Sequence, residues 1–397
     1  MPKLATNKYC TGCLSCVDAC HHQAITTIIE DGHTYVEVDT SKCIDCGLCE
    51  KACPIISPFN TNKREYMQVY GGWCNNNTIR QQSASGGAFS GLAMTVLENN
   101  GIVFGAALID NSVKHIAISH TEELSKLQNS KYIQSDTSKI YQYVKEALKT
   151  DRPILFSGTP CQIAALNSFL HKKYSNLLTV DLICNGVPSH EAIDLFIAEK
   201  KAKDIFSYRN KEFGWLSPKS KSITWKNTQN IIIRGDQKRD TFYQIFSAGI
   251  TSRRICCHCP FSSVPRQADI TIGDFWGINR FKEEWRNGIS VIIANNTKGA
   301  EYIKGCKHLT LFKSSLEECI YANPRLINGK KYHEYHPIMM FPSLKRILPK
   351  YLYYNILKNK MPYKLGWAPF KILTIISNKL SIKSALKYEK NRNHNNL

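Results

Sequence analysis

CTGCLSCVDAC (10–20) and CIDCGLCEKACP (43–54) carry eight of the chain's sixteen cysteines. In each run three cysteines recur at a spacing of three, so their thiolates converge on one side of a tight loop. The chain then leaves as a short helix, which turns the fourth cysteine away, so the last ligand of each centre must come from elsewhere. A structural zinc site is the bland alternative, because four-cysteine zinc sites also use C-x2-C. Two triplets, each with a further cysteine, do not divide into the pairs that zinc needs. Between the runs, AITTIIEDGHTYVEVD (24–39) alternates apolar and polar residues around Asp31-Gly32, a hairpin signal.

The eight-cysteine spacing resembles the bacterial ferredoxin pattern, in which each run gives its last cysteine to the other cluster. The resemblance implies two [4Fe–4S] clusters, one on Cys10, Cys13, Cys16 and Cys53, the other on Cys43, Cys46, Cys49 and Cys20. The proline that follows the fourth cysteine is present as Pro54 but replaced by His21 after Cys20. It shapes a turn and binds no iron. His21 and His22 read as surface residues.

Composition sets the frame. The chain has 397 residues, 43% of them hydrophobic, enough for two or three units with a sizeable core. The N-terminus MPKLATNKYC shows no apolar signal segment, so the expected compartment is the reducing cytoplasm, where clustered thiols read as metal ligands. The richest apolar stretch, Leu365 to Ser377, is broken by Pro369 and Lys371, short of the ~18 residues of a membrane span. The formal charge is +20, unevenly spread: residues 1–57 carry four basic and seven acidic residues, residues 345–397 twelve basic and one acidic. The basic tail points to a membrane surface, an acidic partner or plain solvation. No recognised nucleic-acid-binding fold accompanies it, so nucleic acid is not expected as a partner.

SPFNTNKRE (57–65) reads as a linker. Beyond it, strand signals in GIVFGAALI (101–109), RPILFSG (152–158), LLTVDLIC (177–184) and ISVIIAN (289–295) alternate with helical patterns near 88–98, 138–149, 161–172 and 189–202. From Ile205 to Arg234 the pattern becomes alternating and hydroxyl-rich, an antiparallel insertion. The expected fold is therefore α+β: a ferredoxin-like module (1–57), a larger α/β domain with an antiparallel β insertion (66–330), and a basic extension (331–397).

Four features of the larger domain carry chemistry. In SASGG (83–87), small residues before a helical run let backbone N–H groups approach a phosphate, although a plain N-cap explains Ser85 equally well. Cys161 follows a strand and opens a helix; Cys184 ends a strand before another; Cys256 and Cys259 flank Cys257 in RRICCHCPF. These four lie beside turn residues, so a third cluster, a four-thiolate zinc site and a redox-active pair all stay open. Cys74, Cys306 and Cys319 sit in apolar surroundings and read as packing. Lys131 and Tyr132 read either as cofactor contacts or as a solvated loop.

Taken in order behind the two cysteine runs, SASGG, GTPCQIAAL, CNGVPS, C-x2-C-PF and ADITIGDFWGI resemble the coenzyme F420 hydrogenase/dehydrogenase β-subunit family over roughly residues 1–330. The resemblance implies FAD and iron–sulfur clusters, with Ser83, Ser85, Gly86 and Gly87 at the flavin phosphates. It implies cluster ligation by Cys161, Cys184, Cys256 and Cys259, and a place for Asp274 beside the redox site. Two readings compete: a flavin-dependent oxidoreductase facing a redox protein or a small hydride carrier, and a non-catalytic adapter that relays electrons to a partner enzyme. Bound flavin discriminates between them.

Overall fold

The structure is a computed structural model that describes residues 1–59, 62–236, 240–249 and 251–329. Residues 1–247 with 251–330 form one compact unit, and 248–250 with 331–397 another. The basic extension, 331–397, lies outside the described residues.

Each cysteine run turns into a helix. These are α1 (Ser15–Ala19) and α2 (Leu48–Lys51), and between them β1 (Ile25–Glu30) and β2 (His33–Val38) pair as the expected hairpin. Asp31 and Gly32 both take positive φ, 52° and 69°, as a type I′ turn requires.

The larger part begins with β3 (Gln68–Cys74), α3 (Asn77–Gln82) and α4 (Ala88–Glu98). Next come β4 (Ile102–Ile109), β5 (Ser112–Ile118), α5 (Ile140–Ala147), β6 (Ile154–Gly158), α6 (Pro160–Leu170), β7 (Leu177–Leu182) and α7 (His190–Lys200). The antiparallel insertion follows as β8 (Ala202–Ser207), β9 (Thr224–Asn227) and β10 (Ile232–Arg234), then α8 (Thr241–Ala248). The chain returns through β11 (Ile270–Asp274), β12 (Ser290–Ala294), α9 (Thr297–Gly305), β13 (Leu309–Lys313) and α10 (Leu316–Tyr321).

Eight strands make one mixed sheet in the order β13-β3-β12-β11-β7-β6-β4-β5. The inner four, β11, β7, β6 and β4, are parallel neighbours, and antiparallel strands close both ends. Helices cover both faces, which is why β6 and β12 are buried at every residue. The period-2 alternation sorts the packing. Val103, Leu155, Leu178 and Val180 face α4 and α9; Ile102, Phe104, Ile154 and Phe156 face α5 and α6. Cys13 joins the second of these clusters, so the cysteine module packs on the α5/α6 face.

β3 and β11 both run antiparallel to β12, so the carboxyl ends of β3, β11, β7, β6 and β4 share one edge. The start of α4, Cys161, Cys184 and Asp274 all follow or end these strands, at the edge where α/β sheets collect ligands.

Candidate functional site

The eight N-terminal cysteines sort into two hollows. One is lined by Cys10, Cys13, Cys16 and Cys53, the other by Cys20, Cys43, Cys46 and Cys49. This is the sorting that the ferredoxin pattern implies. Among the described residues, no group of three or more His, Cys, Asp or Glu side chains could hold a single metal ion. Four cysteines line each hollow, the number of thiolates that holds one [4Fe–4S] cluster. Backbone N–H groups of Gly12 and Ala24 point at the Cys10 and Cys20 sulfurs, at 3.4 and 3.3 Å. Burial raises the Cys16 thiol, with Cys13 and Cys10 adding to it, and pushes Cys49 up to about 11. His21 and His22 are exposed as expected, but His22 also lines the second hollow.

The two hollows differ in surroundings. Beside the second, Cys46 is exposed and Ile44 is 62% exposed. The first is clasped to the large sheet. Thr137 Oγ1 donates to the Cys13 carbonyl (2.7 Å), and Gln134 Nε2 donates to the carbonyls of Thr11 and Gly12 (3.0 and 2.8 Å). The buried Arg253 donates to Thr34 O and Gln134 Oε1, both at 2.8 Å, and lies 4.7 Å from the Tyr35 ring centre. Asp18 accepts from the N–H groups of Lys139 (2.6 Å) and Tyr141 (3.0 Å). The N-cap of α5, Lys139, has no side-chain cap of its own, so the cap comes from the cysteine module. Burial raises the Asp18 carboxyl to about 6, against those hydrogen bonds.

Cys161, Cys184, Cys256 and Cys259 come together from three separate segments. Thr159 and Gln162 form a capping box that opens α6 around Cys161, whose sulfur touches Thr159 Oγ1 at 3.1 Å. Cys184 lies two residues beyond β7, and Cys256 lies in the short turn Arg254–His258, which Cys259 closes. Burial drives the Cys161 thiol well up, with Cys259, Cys184 and Cys256 acting on it. Cys184 is pushed up to about 12 by burial and by Cys256. Cys74, Cys306 and Cys319 are buried, 0%, 4% and 0% exposed, and stand apart from this group.

At SASGG the structure differs from the plain N-cap expectation: the N-cap of α4 is Gly87, at φ 83°, rather than Ser85. Ser83 Oγ donates to Ile79 O (2.8 Å) and Ser85 Oγ to Ile289 O (2.9 Å). A Cβ on Gly86 would lie 2.7 Å from both Gly72 O and Ser290 N. The loop is therefore locked onto β3 and β12, and both hydroxyls are engaged inward. Lys211 supports it from below, donating to the carbonyls of Arg80, Ser85 (2.6 Å) and Asn287 (2.7 Å).

Asp274, at the end of β11, is held by Arg209 Nη1 (3.0 and 2.7 Å to its two oxygens) and by Trp215 Nε1 (2.6 Å). Trp215 stacks on Trp276 at 4.7 Å, and Lys221 lies 4.4 Å from the Trp276 ring centre. Arg209 Nε and Nη2 are buried without a bonding partner among the described residues. Burial draws Lys211 down to about 7, with Arg80 and Arg209 adding to the effect, while three carbonyl oxygens hold its protons. Lys131 donates to Gln128 O (2.6 Å), and Tyr132 packs among Tyr208, Tyr243 and Phe246, so neither belongs to a solvated loop. Sequence reasoning missed Arg209, Lys211, Trp215 and Lys221, which fall in the stretch read only as an antiparallel insertion. Only Trp276, inside GDFWG, stood in a quoted motif.

Three family models match the chain. A 4Fe-4S dicluster domain covers residues 9–55; the N-terminal and C-terminal parts of the coenzyme F420 hydrogenase/dehydrogenase β subunit cover 69–142 and 151–315. The last two together span more than half of the chain. The chain belongs to the coenzyme F420 hydrogenase/dehydrogenase β-subunit family. It is an iron–sulfur electron-transfer subunit related to the β subunit of that hydrogenase. Among solved structures it is similar to a chain of the F420-reducing [NiFe] hydrogenase complex from Methanosarcina barkeri, at 14% identity and a TM-score of 0.45, over 62% of this chain and 82% of that one. No curated protein is detectably similar in sequence. No helix among the described residues is long and apolar enough to cross a membrane.

Proposed function

We propose that this chain is a flavin-dependent iron–sulfur oxidoreductase, with two [4Fe–4S] clusters in residues 1–57, a third cluster and FAD in residues 66–330, and a basic extension from 331. The observation that carries the reading is the shared carboxyl edge, along which Cys161, Cys184, the start of α4 and Asp274 all lie. The eight N-terminal cysteines hold the first two clusters in the sets that line the two hollows. Cys161, Cys184, Cys256 and Cys259 hold the third. Cluster assembly displaces protons from thiols that burial otherwise keeps protonated, so ligation and deprotonation are coupled.

The charges at this edge support the flavin reading. Arg209 Nε and Nη2 have no partner in bonding geometry among the described residues, although Tyr132 lies beside the guanidinium, and Arg80, Arg209, Lys211 and Lys221 outnumber Asp274 and Glu284 around the loop. That excess favours a phosphate-bearing group beside an aromatic wall. Because the Ser83 and Ser85 hydroxyls are turned inward, phosphate contact falls to the backbone of Ser85, Gly86 and Gly87 and to Arg209. Asp274 fixes the Arg209 fork, and Trp215 with Trp276 keeps water from it. When bound, a flavin supplies two-electron hydride exchange on one side and single electrons on the other.

Electrons meet a partner protein at the second hollow, where Cys46 is exposed in a module of net negative charge. The acceptor on the flavin side is a small hydride carrier. Anaerobic purification with iron, sulfide and flavin counted per chain tests the proposal: about twelve irons fit three four-iron clusters, about eight only the N-terminal pair. Clusters without any flavin would leave the adapter reading in its place.

A further inference from the structure

Cys161 and Cys184 follow neighbouring parallel strands, β6 and β7, so the sheet itself sets their spacing. Cys256 and Cys259 have no such support, because they lie in and just after the short turn Arg254–His258, well ahead of β11. A segment from much later in the chain lies against them. After α10 the chain passes through the short turn Pro324–Leu326 and reaches Gly329. Arg325 Nε donates to Asn185 Oδ1 (3.1 Å), the residue next to Cys184, and its Nη1 donates to Gly329 O (2.6 Å). Gly329 sits directly on the cysteine turn: a Cβ there would stand 2.8 Å from Cys257 O and from Cys259 N, and 3.0 Å from Cys256 O.

The segment is anchored independently of Arg325's side chain. Leu326 is fully buried, and Asn323 Nδ2 donates to Asp274 O (3.0 Å) at the end of β11. The buried Arg266 donates to Phe261 O (2.9 Å), just past Cys259, and to the Arg325 carbonyl (3.4 Å). A purely local role would need only the bond to Gly329, four residues on. The bond to Asn185 crosses 140 positions and joins two cysteine-bearing segments that no strand pairing connects.

We infer that Arg325 is a positioning residue for the sheet-edge site: by tying Asn185 to Gly329, it holds Cys184 and the Cys256–Cys259 turn at the separation one cluster needs. This inference rests on the proposal that these cysteines ligate a cluster. Arg325 acts through the segments that carry the ligands, and outer groups of this kind are worth about 10- to 100-fold in metal affinity. Both bonds leave one planar guanidinium, a fork that a lysine ammonium does not reproduce.

The test uses the full chain, purified without oxygen and challenged with an iron chelator, each cluster being followed by its electron paramagnetic resonance signal. Arg325→Ala is expected to lower the chelator concentration that strips the sheet-edge cluster about 10- to 100-fold and to shift that cluster's signal, with both N-terminal clusters unmoved. Asn185→Ala should act on the same cluster alone. The double variant should be no worse than Arg325→Ala, because both changes remove one bridge. Arg325→Lys should not restore wild-type retention. Wild-type retention or an unmoved signal in either alanine variant would overturn the inference, as would additive losses in the double variant, full rescue by lysine, or equal loss from all three clusters. Should Arg325→Ala fail to fold, Asn185→Ala and Arg325→Lys decide: selective loss in both supports the bridge, and wild-type retention in either sinks it. A wild-type chain holding about eight irons rather than about twelve would instead defeat the third-cluster proposal beneath it, so the two failures are distinguishable.

Discussion

The cysteine module and the carboxyl edge of the large sheet gather their cysteines by opposite means. In the module, eight cysteines fall between Cys10 and Cys53; spacing within each run brings three of them around a hollow, and the other run supplies the fourth. At the sheet edge, four cysteines spread from Cys161 to Cys259 meet only because parallel strands end side by side. The first site is written in local spacing, the second in topology. On the proposed ligation, damage should differ accordingly: a module cysteine is one of a tightly wound set, whereas a sheet-edge cysteine sits on a scaffold that stands without it.

The largest expected effect comes from Cys161→Ser or Cys184→Ser. Either should remove about four irons, a third of the total on the three-cluster reading, while leaving the two N-terminal signals intact. Unchanged iron in both variants would mean that the sheet-edge cysteines bind no cluster, and the parallel between the two regions would fail. Gly86→Ala comes next. Its added Cβ would press on Gly72 O and Ser290 N, so overpacking of about 1–3 kcal/mol should appear as a lowered unfolding midpoint, without iron loss from the module.

Asp18→Ala probes the contact between the two regions. Losing a cap of this kind costs about 1 kcal/mol, up to about 2, and the amides of Lys139 and Tyr141 should exchange with solvent faster while β6 stays protected. The pH dependence follows from the same carboxyl. Its folded pKa is raised to about 6, so between its unfolded value near 3.9 and 6 the folded chain holds more protons than the unfolded one. Asp18 therefore contributes stability that diminishes as pH rises through that window, and Asp18→Asn should flatten this part of the stability profile. A profile identical to wild type would show that the carboxyl does not titrate there. The smallest effect is expected for Cys74→Ser and Cys319→Ser, which should leave iron content unchanged.

The same contrast explains what the sequence could disclose. The hairpin at Asp31-Gly32, helix α4 and strands β4, β6, β7 and β12 were readable because each carries its own period or turn signal. Strands β3, β5, β11 and β13 were not read as strands. β3 holds two glycines, Gly71 and Gly72, where the Phe312 ring and the Thr310 carbonyl leave no room for a side chain, and such residues argue against a strand when read alone. The Arg209–Asp274 pair joins residues 65 positions apart, and no local pattern in RNKEFGW announces that its charges turn inward. The Asp18 cap on α5 was invisible for the same reason: its acceptor and donors lie more than 120 residues apart.

Arg253 carries one more consequence. Its guanidinium, donated by the large domain, ends on the Thr34 carbonyl and beside Tyr35, both in the small N-terminal hairpin. Cutting the gene at the 57–65 linker would strip that cation of its Thr34 acceptor and the Tyr35 ring, leaving it Gln134 Oε1, and would uncap α5 at the same stroke. Attempts to express the two halves separately should therefore yield an insoluble large fragment, and any engineered transplant of the module onto another scaffold must bring along replacements for Arg253 and Asp18.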